Sequence, residues 1–432
     1  MGDLGVEVRG RRRTAAARRS AWGTVLQVLA VWLTVATVCA GAVAPAASAE
    51  AVRDNSPAVV GFWAGERFLV PGGPSGYPSD PDQYWAERDP SVWTAELWTL
   101  LQRHRVPIYF HLRYGRDFGT PPPHRRLRDD ALPILRQADQ RGIPVFAWVT
   151  VPYEDGYWAT QDNAPVQLAA TAALDDWVRH NDLRLAGVAY DMEPPLETIN
   201  ALVAGRFDPA AQARFIDPAA QCRTIRQYET VFDDARAHFG QVVGAPVPFA
   251  LDDLANGDLA LQNALGLWGL PQGPRALYFQ AYRSTVADVI GADPGTGFVA
   301  HYLRRAQQVL GPERGQVTLG VAGEGIYRDL GTLIGDIRLA RALGADTIPI
   351  YSLETAVTAY GVDGVEQLIR AGDDPLDHTR VRAAEQSTPQ LEHYLALITA
   401  LDAGATQSTP VVTAARGASQ QPNRYPGCAE AE

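Results

Sequence analysis

Apolar and polar positions along the chain follow two alternating rhythms. Short runs rich in β-branched, aromatic and aliphatic residues lie at 59–63, 106–110, 143–149 and 185–191, then at 246–251, 276–280, 317–321 and 347–351. Runs of this length, bounded by Gly, Pro and polar residues, predict buried strands. Between most of them the period changes to that of an amphipathic helix. Residues 128–141 put Leu132, Leu135 and Ala138 on one face, and residues 224–239 do the same with Ile225, Tyr228, Val231 and Ala235. Residues 299–310 and 332–343 follow suit, and Gly142, Gly240, Gly311 and Gly344 stand where helix C-caps belong.

Strands alternating with helices in this way predict an α/β fold, a single (β/α)8 TIM barrel closing between about residues 57 and 375. A doubly wound open sheet is the alternative, and it is disfavoured because no Gly-rich phosphate turn follows any strand. Two long Pro/Gly-rich loops, 70–90 after the first strand and 194–218 after the fourth, would cover the mouth of such a barrel.

The ends of the chain read differently. Residues 1–49 resemble a signal peptide: Arg9, Arg11–Arg13, Arg18 and Arg19 form a basic region, an apolar stretch runs over 21–43, and Ala47-Ser48-Ala49 resembles a cleavage site. Left uncleaved, residues 21–44 would anchor the protein in a membrane. The barrel would then occupy 50–404, and a Ser/Thr/Gln/Pro-rich tail 405–432. The protein is expected to be bacterial and secreted or extracytoplasmic. Cys39 lies in the signal segment, which leaves Cys222 and Cys428 as an even pair expected to form one disulfide.

Composition removes several chemistries. The formal charge of −11 argues against nucleic acid as a partner. All 38 Lys-plus-Arg positions are arginine. Without lysine there is no Schiff-base or P-loop lysine and no pyridoxal-phosphate anchor, so no cofactor is expected. No His-x-His follows the first strand and no His-x-x-x-His lies on a helix, so no metal is expected either; a carboxylate-only Mg²⁺ or Ca²⁺ site at Asp191, Glu193 and Asp252 stays open as the alternative.

The candidate chemistry lies at the strand ends. The run Leu185-Ala186-Gly187-Val188-Ala189-Tyr190-Asp191-Met192-Glu193-Pro194-Pro195 ends in two carboxylates spaced i, i+2, which share one face of a strand. Two adjacent carboxylates cannot both ionise easily, so one becomes an acid available near neutral pH. The other strand ends offer Trp63, His111 and Arg113, Trp148, Asp252 and Asp253, Gln280, Tyr282 and Arg283, Glu324, Tyr351 and Glu354. Aromatic faces stack on pyranose rings and carboxylates supply acid and base, so the set predicts a carbohydrate cleft.

The segment Ala186 to Glu193 resembles the fourth-strand motif of the family 18 glycoside hydrolases (chitinases and relatives), D-G-x-D-x-D-x-E. Gly187, Asp191 and Glu193 match its glycine, last aspartate and glutamate, while Ala186 and Ala189 replace its first two aspartates. Phe279-Gln280-Ala281-Tyr282 resembles the sixth-strand M-x-Y, and Tyr351-Ser352-Leu353 the last strand, where the family usually has tryptophan; the third-strand S-x-G-G is absent. The resemblance implies Glu193 as proton donor, Asp191 orienting a substrate acetamido group that attacks the anomeric carbon, and Tyr282 assisting. Asp-x-Glu on a strand is also similar to the family 25 lysozymes, whose first-strand aspartate has no counterpart at Gly61-Phe62-Trp63. A third likeness is to the large retaining clan with its acid after strand four and nucleophile after strand seven. Glu193 and Glu324 occupy those ends, Met192 stands where that clan has Asn, and the two carboxyls would be about 5 Å apart.

The expected function is therefore an exported glycoside hydrolase acting on a polysaccharide or cell-wall glycan. Its catalytic candidates are Glu193, Asp191, Tyr282 and Glu324; its binding candidates are Trp63, His111, Arg113, Trp148, Asp252, Gln280, Tyr351 and Glu354. A carbohydrate-binding barrel without catalysis, or an extracytoplasmic assembly factor, is the alternative, motivated by Ala186 and Ala189.

Overall fold

The computed structural model describes residues 57–65, 90–117, 124–195, 198, 218–269 and 273–408. The signal segment, most of both long loops and residues 409–432 with Cys428 lie outside the described residues.

Eight parallel strands close on themselves: β1 (Val59–Ala64), β2 (Ile108–Asp117), β4 (Val145–Thr150), β5 (Gly187–Met192), β6 (Val242–Pro246), β7 (Ala276–Ala281), β8 (Gly315–Gly320) and β9 (Thr347–Tyr351). Pairing of β1 with both β2 and β9 completes the (β/α)8 barrel. A ninth strand, β3 (His124–Leu127), pairs antiparallel with the outer part of β2. The outer layer contains α1 (Ala95–His104), α2 (Leu132–Gln140), α3 (Ala164–His180), α4 (Pro218–Phe239), α5 (Ala250–Asn256), α6 (Ala260–Ala264), α7 (Arg283–Ile290), α8 (Gly297–Leu310), α9 (Leu330–Ala342) and α10 (Leu353–Ala371). Two further helices follow, α11 (His378–Ala384) and α12 (Pro389–Ser408), so the compositional change at Ala405 falls within the last turn of α12.

Strand alternation divides the core into two layers. Phe62, Phe110, Val149, Tyr190, Phe279 and Ile350 belong to the large core shared with the helices. Their neighbours Trp63, Tyr109, Trp148, Ala189, Ala245 and Tyr278, with Tyr351, form a separate core. The rings of that inner core contact one another: Trp63 and Tyr109 stack at 4.8 Å, Tyr109 and Phe146 at 5.1 Å. Each such pair contributes about 0.5–1.5 kcal/mol beyond area burial. Gly187 makes room for Phe146, since a Cβ there would lie 2.8 Å from that ring and 2.5 Å from the Gln241 carbonyl.

One strand differs from the sequence expectation. The run 246–251 predicts the fifth strand, but the strand is Val242–Pro246 and α5 begins at Ala250. Pro246 ends the strand, and Pro248 beyond it lacks the N–H needed to carry the ladder further. The small residues Gly244 and Ala245 are needed instead. A Cβ on Gly244 would come within 2.7 Å of Leu277 and 3.0 Å of Met192 Sδ. Asp252 and Asp253 therefore sit on a helix and not at a strand end.

Candidate active site

Asp191 projects from the last turn of pleat in β5, and Glu193 follows the strand directly. The Asp191 carbonyl accepts from Ala159 N–H at 2.9 Å, which ties this strand end to the segment after β4. Pro194 and Pro195 then stop the ladder, because neither can donate. Glu193 is buried at 8 % exposure, whereas Asp191 is half-buried.

Gln280 of β7 joins the pair. Its Nε2 donates to Asp191 Oδ1 at 2.9 Å and to Glu193 Oε1 at 2.9 Å, and it lies 3.1 Å from the Ala245 carbonyl. Both carboxyl oxygens are thus held within one hydrogen-bond length of a single nitrogen. That proximity makes the two ionisations interdependent.

Aromatic side chains cluster at other strand ends of the same barrel. Tyr282 stacks on Tyr351 at 5.7 Å, and Tyr351 meets the edge of Trp148 at 6.3 Å. Trp148 also packs on His111 at 4.7 Å and against Trp63 at 5.2 Å. Trp63 is anchored by its indole N–H, which donates to Thr318 Oγ1 at 3.1 Å; Thr318 in turn donates to the Pro349 carbonyl at 2.9 Å. The Trp148 indole N–H is buried and has no hydrogen-bond partner among the described residues. His111 Nε2 shares a 2.7 Å hydrogen bond with Thr150 Oγ1.

Not every candidate joins the cluster. Asp252 accepts from Tyr302 at 2.8 Å and faces Arg305 and His301, all on α8, so it serves helix packing. The alternative carboxylate site at Asp191, Glu193 and Asp252 is not assembled. The acids that do crowd are Asp253, Asp258 and Asp402, within 4.8 Å of one another. Arg283 is turned into a buried network with Asp293 and Asp336, at 2.6 and 2.9 Å. Arg113 pairs with Asp130. Glu354 accepts from Gly65 N–H at 2.6 Å and ties the end of β1 to the start of α10. Glu324 stands at the N-cap position of the short 3-10 turn Gly325–Arg328 after β8, without a side-chain capping bond. Burial raises its carboxyl above the usual range, Asp288 adds to the shift, and Arg328 opposes it.

Thr150 and Thr318 escaped the sequence reading; strand alternation places both on the inward face and is the signal that would have found them. Tyr157 also escaped it. It is fully buried in a left-handed conformation (φ 66°), edge-on to His111 at 6.3 Å, and only the preceding Asp155-Gly156 turn marks it. A surface hollow of about 310 Å³ between α1 and α10 is lined by Glu96, Arg103, Asp363 and Glu366 and includes none of the candidate residues. Among the described residues no helix is long and apolar enough to cross a membrane.

No family model and no curated protein matches the chain. Among solved structures it is similar to a GH18 chitinase from Pseudoalteromonas aurantia, at 13% identity over 72% of this chain and 100% of that one, TM-score 0.38. It is also similar to XEG5A, a GH5 xyloglucan-specific endo-beta-1,4-glucanase from a metagenomic library in complex with cellotriose, at 13% identity over 74% and 96%, TM-score 0.43. A third similar structure is the family 1 b-glucosidase from Thermotoga maritima, at 12% identity over 69% and 88%, TM-score 0.41. This chain itself forms a closed (β/α)8 barrel with an amide-linked carboxyl pair at the carboxyl ends of its strands.

Proposed function

We propose that the protein is an exported glycoside hydrolase that cleaves a polysaccharide or cell-wall glycan, with Glu193 as proton donor and Asp191 as its partner. The observation that carries the reading is the pair itself: Asp191 and Glu193 meet on one amide nitrogen at the carboxyl ends of the barrel strands, where Tyr282, Tyr351 and Trp148 also form a ring cluster. A buried carboxyl beside a second carboxyl holds a proton to higher pH and delivers it to a leaving oxygen. Asp191, the more exposed of the two, orients the reacting group of the substrate, with Tyr282 assisting. The resemblance of residues 1–49 to a signal peptide supports an activity outside the cytoplasm.

The test is a broad glycan panel with the purified mature protein, scored for new reducing ends, followed by Glu193→Gln on whichever glycan is cleaved. Loss of turnover with the fold retained is the expected result.

A second reading has its own observation. Ala189 is fully buried where the resembled motif has an aspartate. A carbohydrate-binding barrel without catalysis would keep its sugar affinity after Glu193→Gln and show no turnover in either form.

A further inference from the structure

We infer that Asn163 is a positioning residue for the carboxyl pair: its amide locks the loop after β4, and Ala159 of that loop holds the strand end that carries Asp191 and Glu193. The inference rests on the proposed function and deepens it. The β4–β5 ladder runs from Phe146↔Gly187 to Trp148↔Ala189 and stops short of Asp191. On its other side β5 stays paired with β6 as far as Met192↔Pro246. Continued in register, the β4 ladder would bring Val151 N–H to the Asp191 carbonyl. Val151 donates instead to the Tyr157 carbonyl at 3.0 Å, and the chain turns away through the 3-10 turn Tyr153–Asp155. The loop then comes back. Ala159 N–H takes the vacated place and donates to the Asp191 carbonyl at 2.9 Å.

Asn163 fixes where this loop stands. It occupies the N-cap position of α3, yet its side chain makes no capping bond. It is 3 % exposed, and its amide uses every hydrogen-bonding position it has on the loop and on α4. Nδ2 donates to the Asp155 carbonyl at 2.8 Å and to the Trp158 carbonyl at 2.6 Å. Oδ1 accepts from Thr160 N–H at 2.9 Å and from the Tyr228 hydroxyl at 2.7 Å. Two carbonyls on one side and two donors on the other fix which way round the amide lies. Gly156 makes the room, since a Cβ there would lie 2.8 Å from Nδ2. The residues held are Trp158 and Thr160, so Ala159 is clamped from both sides. Tyr228 brings in α4: its ring stacks on Trp268 at 3.9 Å, and its hydroxyl also lies 3.0 Å from the Thr160 carbonyl. Thr224 on the same helix donates to the Gln161 carbonyl at 2.6 Å. The loop thus takes its position from the outer layer of the barrel and passes it to β5. Glu193 follows directly on the strand end that Ala159 holds, and a misplacement of a reacting group by about 1 Å costs about 100-fold in rate.

The experiment compares the purified protein with Asn163→Ala and Tyr228→Phe, each assayed well below its own Tm on a glycan that the wild type cleaves. Asn163→Ala is expected to lower kcat about 10- to 100-fold with KM changed by less than about threefold. Tyr228→Phe keeps the ring stack and loses one hydroxyl. It is expected to lower kcat about three- to tenfold, and it carries the test alone if the alanine variant does not fold. A loop that served stability alone would lower Tm and leave the kcat of the folded enzyme at its wild-type value. That result overturns the proposal, and so does a rise in KM at unchanged kcat. If the wild type cleaves nothing in the panel, the hydrolase reading fails separately. The positioning is then read from the ¹³C resonances of the Asp191 and Glu193 side-chain carboxyls, assigned through Asp191→Asn and Glu193→Gln. Displaced resonances in a folded Asn163 or Tyr228 variant support it, and resonances at their wild-type positions overturn it.

Discussion

Trp148 of β4 and Ala189 of β5 are register partners on adjacent strands, and both belong to the inner core of the barrel. The indole occupies space that a longer side chain at position 189 would contest. The interior next to the carboxyl pair is thus aromatic where the resembled motif is acidic. Polar support for Asp191 and Glu193 comes from Gln280, two strands away on β7.

Glu193→Gln keeps the shape of the side chain and removes its proton. Turnover of the substrate glycan is expected to fall by about two to four orders of magnitude. Under the proposed mechanism Asp191→Asn removes the charge assigned to orient the reacting group, and it is also expected to lower kcat. Steady-state kinetics on both variants checks this. Near wild-type turnover in Glu193→Gln would remove Glu193 as the acid.

Glu324 separates two mechanisms. The groups that act on its carboxyl are Asp288 and Arg328. Glu324→Gln is therefore expected to keep kcat/KM within about tenfold of wild type, a change of about 1.4 kcal/mol or less in barrier. A fall of two orders or more would make Glu324 the second carboxylate of a retaining pair with Glu193.

Stability should depend on pH through the docking of α12. Asp402 on that helix is pushed up to about 6, first by burial and then by repulsion from Asp258 and Asp252, against hydrogen bonds from Asp253 and Asn256. Burial also raises Asp253. A carboxyl whose folded value lies above its unfolded value of about 3.9 stabilises the fold below that value. The contribution is lost as pH rises from about 4 through about 6. Asp402→Asn is expected to flatten this part of the Tm-against-pH curve. Parallel curves for the two proteins would show that Asp402 does not titrate in this way.

Cys222 is buried on α4, and its expected partner, Cys428, lies outside the described residues. Non-reducing peptide mapping of the protein is expected to find the two joined. Closing a loop this long contributes on the order of 3 to 5 kcal/mol when the geometry is unstrained. Recovery of both as free thiols would reject the bridge, and Cys222→Ser would then leave the Tm nearly unchanged.

The local patterns carried much of this far. Alternation of buried runs with amphipathic segments determined the barrel, because strand and helix periods are properties of neighbouring residues and survive any packing. The i, i+2 spacing likewise determined that Asp191 and Glu193 share a face. Tertiary structure decided the rest. The fifth strand moved to Val242–Pro246 because ladder hydrogen bonds and the close approach of Leu277 and Met192 select N–H groups and small side chains, not the most apolar run. That shift carried Asp252 onto a helix and into contact with Tyr302. Gln280 is 87 positions from Glu193 along the chain. Only barrel closure, which sets β5, β6 and β7 side by side, brings its amide between the two carboxyls, because hydrogen bonding depends on distance in space and not on separation in sequence.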